Sequence, residues 1–189
     1  GGYDAFDYPN SSVKSSFVVF DGSYGGINDY FEPHSGTQMA ASFWSENKPN
    51  NDWIITPQIT IATGDYLELF ARTANDVWGL EEMRVLISEN TSNTGDFIKL
   101  HPETTLEVPS TWTNYSYDLS AYAGKKVYLA INCVSNDKYA LLIDDIKLKN
   151  INNSYAPLTA QSQNHTSTPE TSGNIEYQIV RDGAIIKTL

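Results

Sequence analysis

The sequence has a single cysteine, Cys133, in 189 residues, which excludes an intrachain disulfide and any cysteine-based zinc site. It has few basic residues, 12 against 23 acidic ones, for a formal charge of −11 and a pI near 4.5. A polyanionic backbone is repelled by such a field, so no nucleic-acid partner is expected, and anionic membrane surfaces are disfavoured for the same reason. No apolar run approaches the ~20 residues that a membrane-spanning helix needs, and no membrane insertion is expected. Helical periodicity is also missing, apart from a short turn expected around Leu80 to Met83. His34, His101 and His165 are scattered, with no HExxH or paired-histidine spacing, and no nucleophile elbow, phosphate loop or dinucleotide fingerprint occurs. The start at Gly1-Gly2 reads as a mature or trimmed end, from which an export signal is not legible.

What is present is aromatic and strand-like. Tyr, Phe and Trp number 12, 7 and 4, or 12% of the chain, far more than a solvated tail carries. Runs of β-branched and aromatic residues recur between clusters of Asn, Gly, Ser, Thr, Asp and Pro. They are Phe17 to Phe20, Thr37 to Trp44, Trp53 to Ile61, Tyr66 to Thr73, Met83 to Ser88, Trp112 to Leu119, Lys126 to Val134 and Tyr139 to Lys149. Pro57 argues for an edge or a kink within the third run. Regularly spaced strands with polar turns predict an all-β, antiparallel jelly-roll β-sandwich over residues 1–150. Residues 151–173 have linker chemistry. In 174–189, two strand-like runs flank Asp182-Gly183, a hairpin signal because a type I′ turn needs positive φ at both centres. A lone hairpin is not stable, so it must dock on the main domain, pair with another chain, or open a further β domain.

The run Tyr139 to Lys149 bears most on function. Strict alternation places Leu142, Asp144, Ile146 and Leu148 on one face. That is the face to bury, so Asp144 is expected to point inward. A carboxylate there needs either a cation or several donors, and both readings stand: a bound Ca²⁺, or N–H and hydroxyl groups of a neighbouring loop. Asp4, Asp7, Asp21 and Asn28-Asp29 offer further oxygens for a six- to eight-oxygen calcium cage. The overall acidity suits a hard cation, and equally suits the solubility of a secreted protein. Cys133 shares its strand face with Val127, Leu129 and Ile131 and reads as a small core residue. Glu81 and Glu82 point to opposite faces and read as solvated loop acids. Trp53 and Trp112, at strand starts, read as core. Trp78 lies in a loop beside Asp76 and Asn75. It either forms a sugar-stacking or protein-contact surface or folds back onto the sandwich edge.

Several blocks also carry a resemblance. Asn51-Asp52-Trp53-Ile54-Ile55-Thr56-Pro57-Gln58-Ile59, Gly64 to Arg72, Val85-Leu86-Ile87-Ser88, Gly95-Asp96-Phe97, Trp112 to Leu119 with Tyr122-Ala123-Gly124-Lys125, and Leu141 to Ile146 stand in one order over roughly residues 4 to 149. Together they resemble the cleaved-adhesin, or choice-of-anchor J, domain of gingipain-type haemagglutinin adhesins. The resemblance implies a jelly roll with structural Ca²⁺, to which Asp144 and the segment around Asp7 contribute. The family often has an acidic loop before its first Trp. Here that stretch, Phe20 to Asn28, carries one acid, Asp21, as its single candidate ligand. The tail Tyr177 to Gly183 resembles the opening strands of a fibronectin III-like module. The expectation is therefore a non-catalytic adhesion or ligand-binding module, secreted or displayed on a bacterial surface and stabilised by Ca²⁺. Its partner would be a host or matrix protein, or a glycan, bound with Trp78 and Asp76, and the C-terminal hairpin is a candidate for pairing. The alternative is a carbohydrate-binding module appended to a secreted enzyme.

Overall fold

The computed structural model describes residues 16–21, 30–45 and 49–151, together with the backbone strands 178–181 and 184–188. Among them, thirteen strands and two short 3₁₀ turns follow one another. They are β1 (Val18–Asp21), β2 (Gln38–Phe43), β3 (Asp52–Ile55), β4 (Ile59–Thr60), β5 (Asp65–Thr73), β6 (Glu81–Ser88), β7 (Ile98–Lys99), β8 (Leu106–Val108), β9 (Thr113–Asp118), β10 (Lys126–Cys133), β11 (Ala140–Asn150), β12 (Gln178–Arg181) and β13 (Ala184–Thr188). One sheet has the order β1-β2-β11-β5-β9. The other runs β13-β12-β3-β10-β6-β7, with β4 also on β10 and β8 also on β6. All pairings are antiparallel, and the two sheets pack as a jelly-roll sandwich.

Alternation explains the packing. Along β5, buried Leu67, Leu69 and Ala71 alternate with half-buried Tyr66, Glu68, Phe70 and Arg72. The buried set meets Met83, Val85 and Ile87 of β6, and Leu129, Ile131 and Cys133 of β10, in the inter-sheet core. Each fully buried aliphatic side chain there contributes about 1.5–3 kcal/mol. Cys133 is fully buried, and burial pushes its thiol up to about 12, so it packs as a small core residue.

The run expected from Trp53 to Ile61 is split at Pro57 into β3 and β4. Thr56 bridges the break: its N–H donates to the Leu129 carbonyl at 2.9 Å and its Oγ1 accepts the Leu129 N–H at 2.9 Å. The turn expected around Leu80 to Met83 is instead the start of β6, where Glu81 to Met83 pair with β8. β12 pairs with β3, Ile179 opposite Ile54, so the hairpin strands extend the second sheet. The Asp182-Gly183 turn and the linker from 152 to 173 lie outside the described residues.

The largest difference from expectation is in β11. Its register on β5 shifts between Asp144 and Lys147, and Asp145 has φ +50°, a left-handed conformation that Asp tolerates better than most residues. This is a bulge with one extra residue. Before it, Leu141 and Ile143 face the inter-sheet core; after it, Ile146 and Leu148 do. Asp144 therefore shares its side with Leu142, which packs in a separate cluster. The inward orientation expected of Asp144 is corrected: it lies on the outer face of its sheet.

His101, 8% exposed, accepts the Val85 N–H on Nε2 at 3.3 Å and packs against Tyr117. Burial lowers its pKa against the opposing pull of Glu103. The unfolded chain then holds a proton that the folded one does not, so stability falls as pH drops below ~6.5. Urea unfolding of His101→Gln is expected to lose this limb of the pH profile between pH 7 and 5 while wild type retains it.

Candidate functional site

Strand registers bring four connections to one end of the sandwich. They are β2–β3 (44–45 and 49–51 as described), β5–β6 (74–80), β8–β9 (109–112) and β10–β11 (134–139). The β5–β6 loop is held at several points. Ala74 N–H donates to the Ala140 carbonyl at 2.9 Å, and Gly79 N–H to the Asp76 carbonyl at 2.9 Å. The Asn75 side chain accepts the Val77 N–H at 2.9 Å. Gly79 has φ +95°, a conformation that residues with a side chain rarely adopt, so the turn needs glycine for its backbone, and the flexible end of Lys138 lies over it. This turn leaves Trp78 66% and Val77 76% exposed, with Asp76 exposed beside them. Trp78 does not fold back on the sandwich edge. Nearby, Trp44 stacks on Tyr139 at 5.9 Å, and Tyr30, 44% exposed, meets Tyr139 edge-on at 6.3 Å.

Beneath these loops the residues are polar and enclosed. Asp52, 3% exposed, accepts hydrogen bonds on Oδ2 from Ser42 Oγ and Asn50 Nδ2, both at 2.8 Å. Glu81 is 2% exposed, which corrects the expectation of a solvated acid. Glu82, on the opposite face, takes the Thr105 hydroxyl at 2.9 Å. Burial pushes the Glu81 carboxyl up to about 7, against the downward pull of Ser135, the Tyr139 N–H and Lys138.

The adjoining outer face of the first sheet is covered by the segment 30–36. Phe31 packs with Phe20 and Phe43, and His34 stacks on Phe70 with centroids 3.7 Å apart and planes 15° from parallel. Trp112 lies edge-on to His34 at 5.8 Å, under the Arg72 guanidinium at 5.7 Å, and donates from Nε1 to the Glu32 carbonyl at 3.1 Å. Arg72 in turn donates to the Tyr30 carbonyl at 3.0 Å. Trp112 is thus an outer-face residue, whereas Trp53, 5% exposed, is buried as expected, in a second cluster with Ile55, Leu86 and Ala130 on the other sheet.

The same segment meets the bulge. Asp144 Oδ2 accepts the N–H groups of His34 at 2.9 Å and Ser35 at 3.1 Å, and Oδ1 accepts the Asp145 N–H at 2.7 Å. His34 Nδ1 lies 2.7 Å from Asp145 Oδ2, and Lys147 Nζ is 2.8 Å from Asp145 Oδ1. Burial disfavours the Asp145 charge, yet hydrogen bonds from Lys147, His34 and Ser35 outweigh it and pull the pKa down to about 2. Among the described residues no three His, Cys, Asp or Glu side chains are grouped to hold a metal. Asp21 ends β1, opposite Gln38, with β2 between it and β11. Asp7 lies outside the described residues. Asp144 and Asp21 therefore share a sheet, while Trp78 and Asp76 lie together on the loop end.

Sequence reasoning missed His34, Phe70, Arg72 and Glu81. A signal existed for two of them: Phe70 and Arg72 alternate with the core residues of β5, and an aromatic on a sheet's non-core face calls for a cover. Replacing His34 by Ala removes the stack and the bond to Asp145. The expected loss is about 2 kcal/mol, with His34→Phe falling between the two, read by urea denaturation.

No family model matches the sequence, and no curated protein matches it. Solved structures do. The K2 cleaved adhesin domain of Lys-gingipain is 26% identical, with a TM-score of 0.54, covering 70% of this chain and 82% of that one. The K3 domain, from Porphyromonas gingivalis W83, is 18% identical at a TM-score of 0.53 over 72% and 91%. The K1 domain is 16% identical at 0.51 over 73% and 92%. The chain is similar to the cleaved adhesin domains of Lys-gingipain, in fold to all three and in sequence to K2 at 26% identity.

Proposed function

We propose that this chain is a non-catalytic adhesion or ligand-binding module of an exported bacterial surface protein, which contacts its partner through the loop end of the sandwich. The observation that carries this reading is Trp78, two-thirds exposed at the tip of a hydrogen-bonded turn. Large exposed aromatics on ordered loops are the residues that anchor interfaces. The similarity to adhesin domains supports the same reading. The chemistry of the described residues favours binding over catalysis: the Cys133 thiol is buried and raised, and Asp52 and Glu81 lie under the loops and do not face each other across an open cleft.

The partner is a host or matrix protein. A glycan is the second reading, favoured by Asn75 and Asp76 beside the exposed indole, a combination suited to stacking on a sugar ring and bonding its hydroxyls. Trp78→Ala is expected to lose at least tenfold in adhesion to erythrocytes and to immobilised matrix protein with an unchanged melting temperature. A glycan array probed with both proteins separates the readings: Trp78-dependent signal on the array assigns the glycan. Full adhesion by Trp78→Ala overturns the site.

Structural Ca²⁺ belongs to the same proposal. Asp144 fits one share of such a site, since Oδ1 accepts a single N–H and keeps a lone pair for a cation, while Oδ2 is taken by two donors. It would supply one monodentate oxygen, with Asp7 and Asp21 as the other candidates. EDTA is expected to lower the melting temperature of wild type by several degrees and to leave Asp144→Asn unchanged. Equal melting of wild type with and without EDTA removes the metal from the reading.

A further inference from the structure

Glu81 opens β6 directly after the Trp78 turn, and its surroundings tie two loops together. Its N–H donates to Thr73 Oγ1 at 2.9 Å, and that hydroxyl donates to the Val108 carbonyl at 2.5 Å. Its side chain is turned toward the β10–β11 loop, where Ser135 and the Tyr139 N–H bond it. Oε1 is enclosed with no partner among the described residues. A neutral carboxyl leaves one weakly polar oxygen unpaired there, whereas a carboxylate leaves a charged one.

The charges around it are few. Lys138, on the β10–β11 loop, attracts, and Glu82, on its own strand, repels. From β10 comes the neutral Cys133 thiol. Beyond it, β3 offers Asp52, whose carboxylate is taken up by Ser42 and Asn50. β5 and β8 present Thr73 and Val108, which carry no charge. A single cation, already packed over Gly79, does not offset the burial of the charge.

We propose that the Glu81 carboxyl is a proton-operated latch, holding the Trp78 turn against the Lys138–Tyr139 segment while protonated and releasing it on ionisation. The effect on partner binding rests on the assignment of this end as the contact surface; the latch itself does not. In the opened loops Glu81 has an ordinary carboxyl pKa of ~4.5. In the closed state burial raises it to about 7. The closed state thus binds the proton more tightly, and its advantage is complete below ~4.5 and lost as pH rises through about 7.

Hydrogen exchange on the full chain, corrected for intrinsic rates, tests this. Protection of peptides covering 74–80 and 134–140 is expected to fall by up to about tenfold per pH unit between pH 5 and 7, then level off. Glu81→Gln is expected to flatten the profile, and Glu82→Gln to keep it. A pH profile in Glu81→Gln equal to that of wild type overturns the latch. Should that variant fail to fold, the ¹³C titration of the wild-type Glu81 carboxyl decides: a midpoint near 7 supports the latch and one near 4.5 overturns it. Neither readout involves a ligand, so failure here leaves the Trp78 surface standing, and the reverse.

Discussion

The extra residue in β11 governs how this sandwich is built. β11 lies between β2 and β5 in the five-stranded sheet, so both of its faces must be covered. A strict alternation from Leu141 to Leu148 would bury either Leu141 and Ile143 or Ile146 and Leu148, never both pairs. The bulge at Asp144 and Asp145 resets the phase, and all four reach one core. With about 1.5–3 kcal/mol for each side chain, the alternative of exposing one pair exceeds the 1–3 kcal/mol cost of a residue held at positive φ. The bulge also aims two carboxylates at the outer face. There they organise the segment 30–36, which roofs Phe20, Phe43, Phe70 and Trp112.

The same side-chain chemistry meets opposite fates at two places in the molecule. Asp145 and Glu81 both lose water, and burial opposes the charge of each. Asp145 has an ammonium, a ring nitrogen and a serine donating to it, and settles at about 2. Glu81 has fewer donors and one enclosed oxygen without any, and settles at about 7. What separates them is depth together with the number of donors delivered by neighbouring loops: Glu81 is 2% exposed, whereas the Asp145 side chain keeps 13%. The first is a fixed anion that holds a segment in place. The second is poised to change its charge near neutrality.

Much of the fold was legible because it follows from local rules. Runs of β-branched and aromatic residues bounded by turn residues located every long strand, and Pro57 marked the break between β3 and β4. β7 and β8, at two and three residues, are too short to show a period. The face of Asp144 was misjudged for a different reason. A one-residue bulge reverses every later assignment, and nothing in Ile143-Asp144-Asp145-Ile146 shows whether the extra residue is there. Glu81 was taken as solvated because acids usually are; its burial comes from loops that converge only in three dimensions. The resemblance to adhesin domains was carried by ordered blocks such as Asn51 to Ile59, which coincide with β3, β4 and their break. Trp78, Asp76 and Asn75 were legible as neighbours in one loop, whereas the connections that surround that loop come together only through the strand registers.

The loop end joins these points. Leaving Trp78 in water forgoes a burial worth several kcal/mol at ~25 cal/mol per Å², so a fold selected for stability alone would tuck it in. The turn instead prevents that: Asn75 fixes the Val77 amide, and Gly79 takes a conformation others resist. An aromatic held out by its own backbone has little freedom left to lose on contact, which is the condition under which a small surface binds well. The rigidity of the turn depends on the β10–β11 loop behind it, and the junction of the two is Glu81. The proposed contact surface and the proposed proton latch beneath it would therefore be coupled through one short stretch of chain, from Thr73 to Glu81.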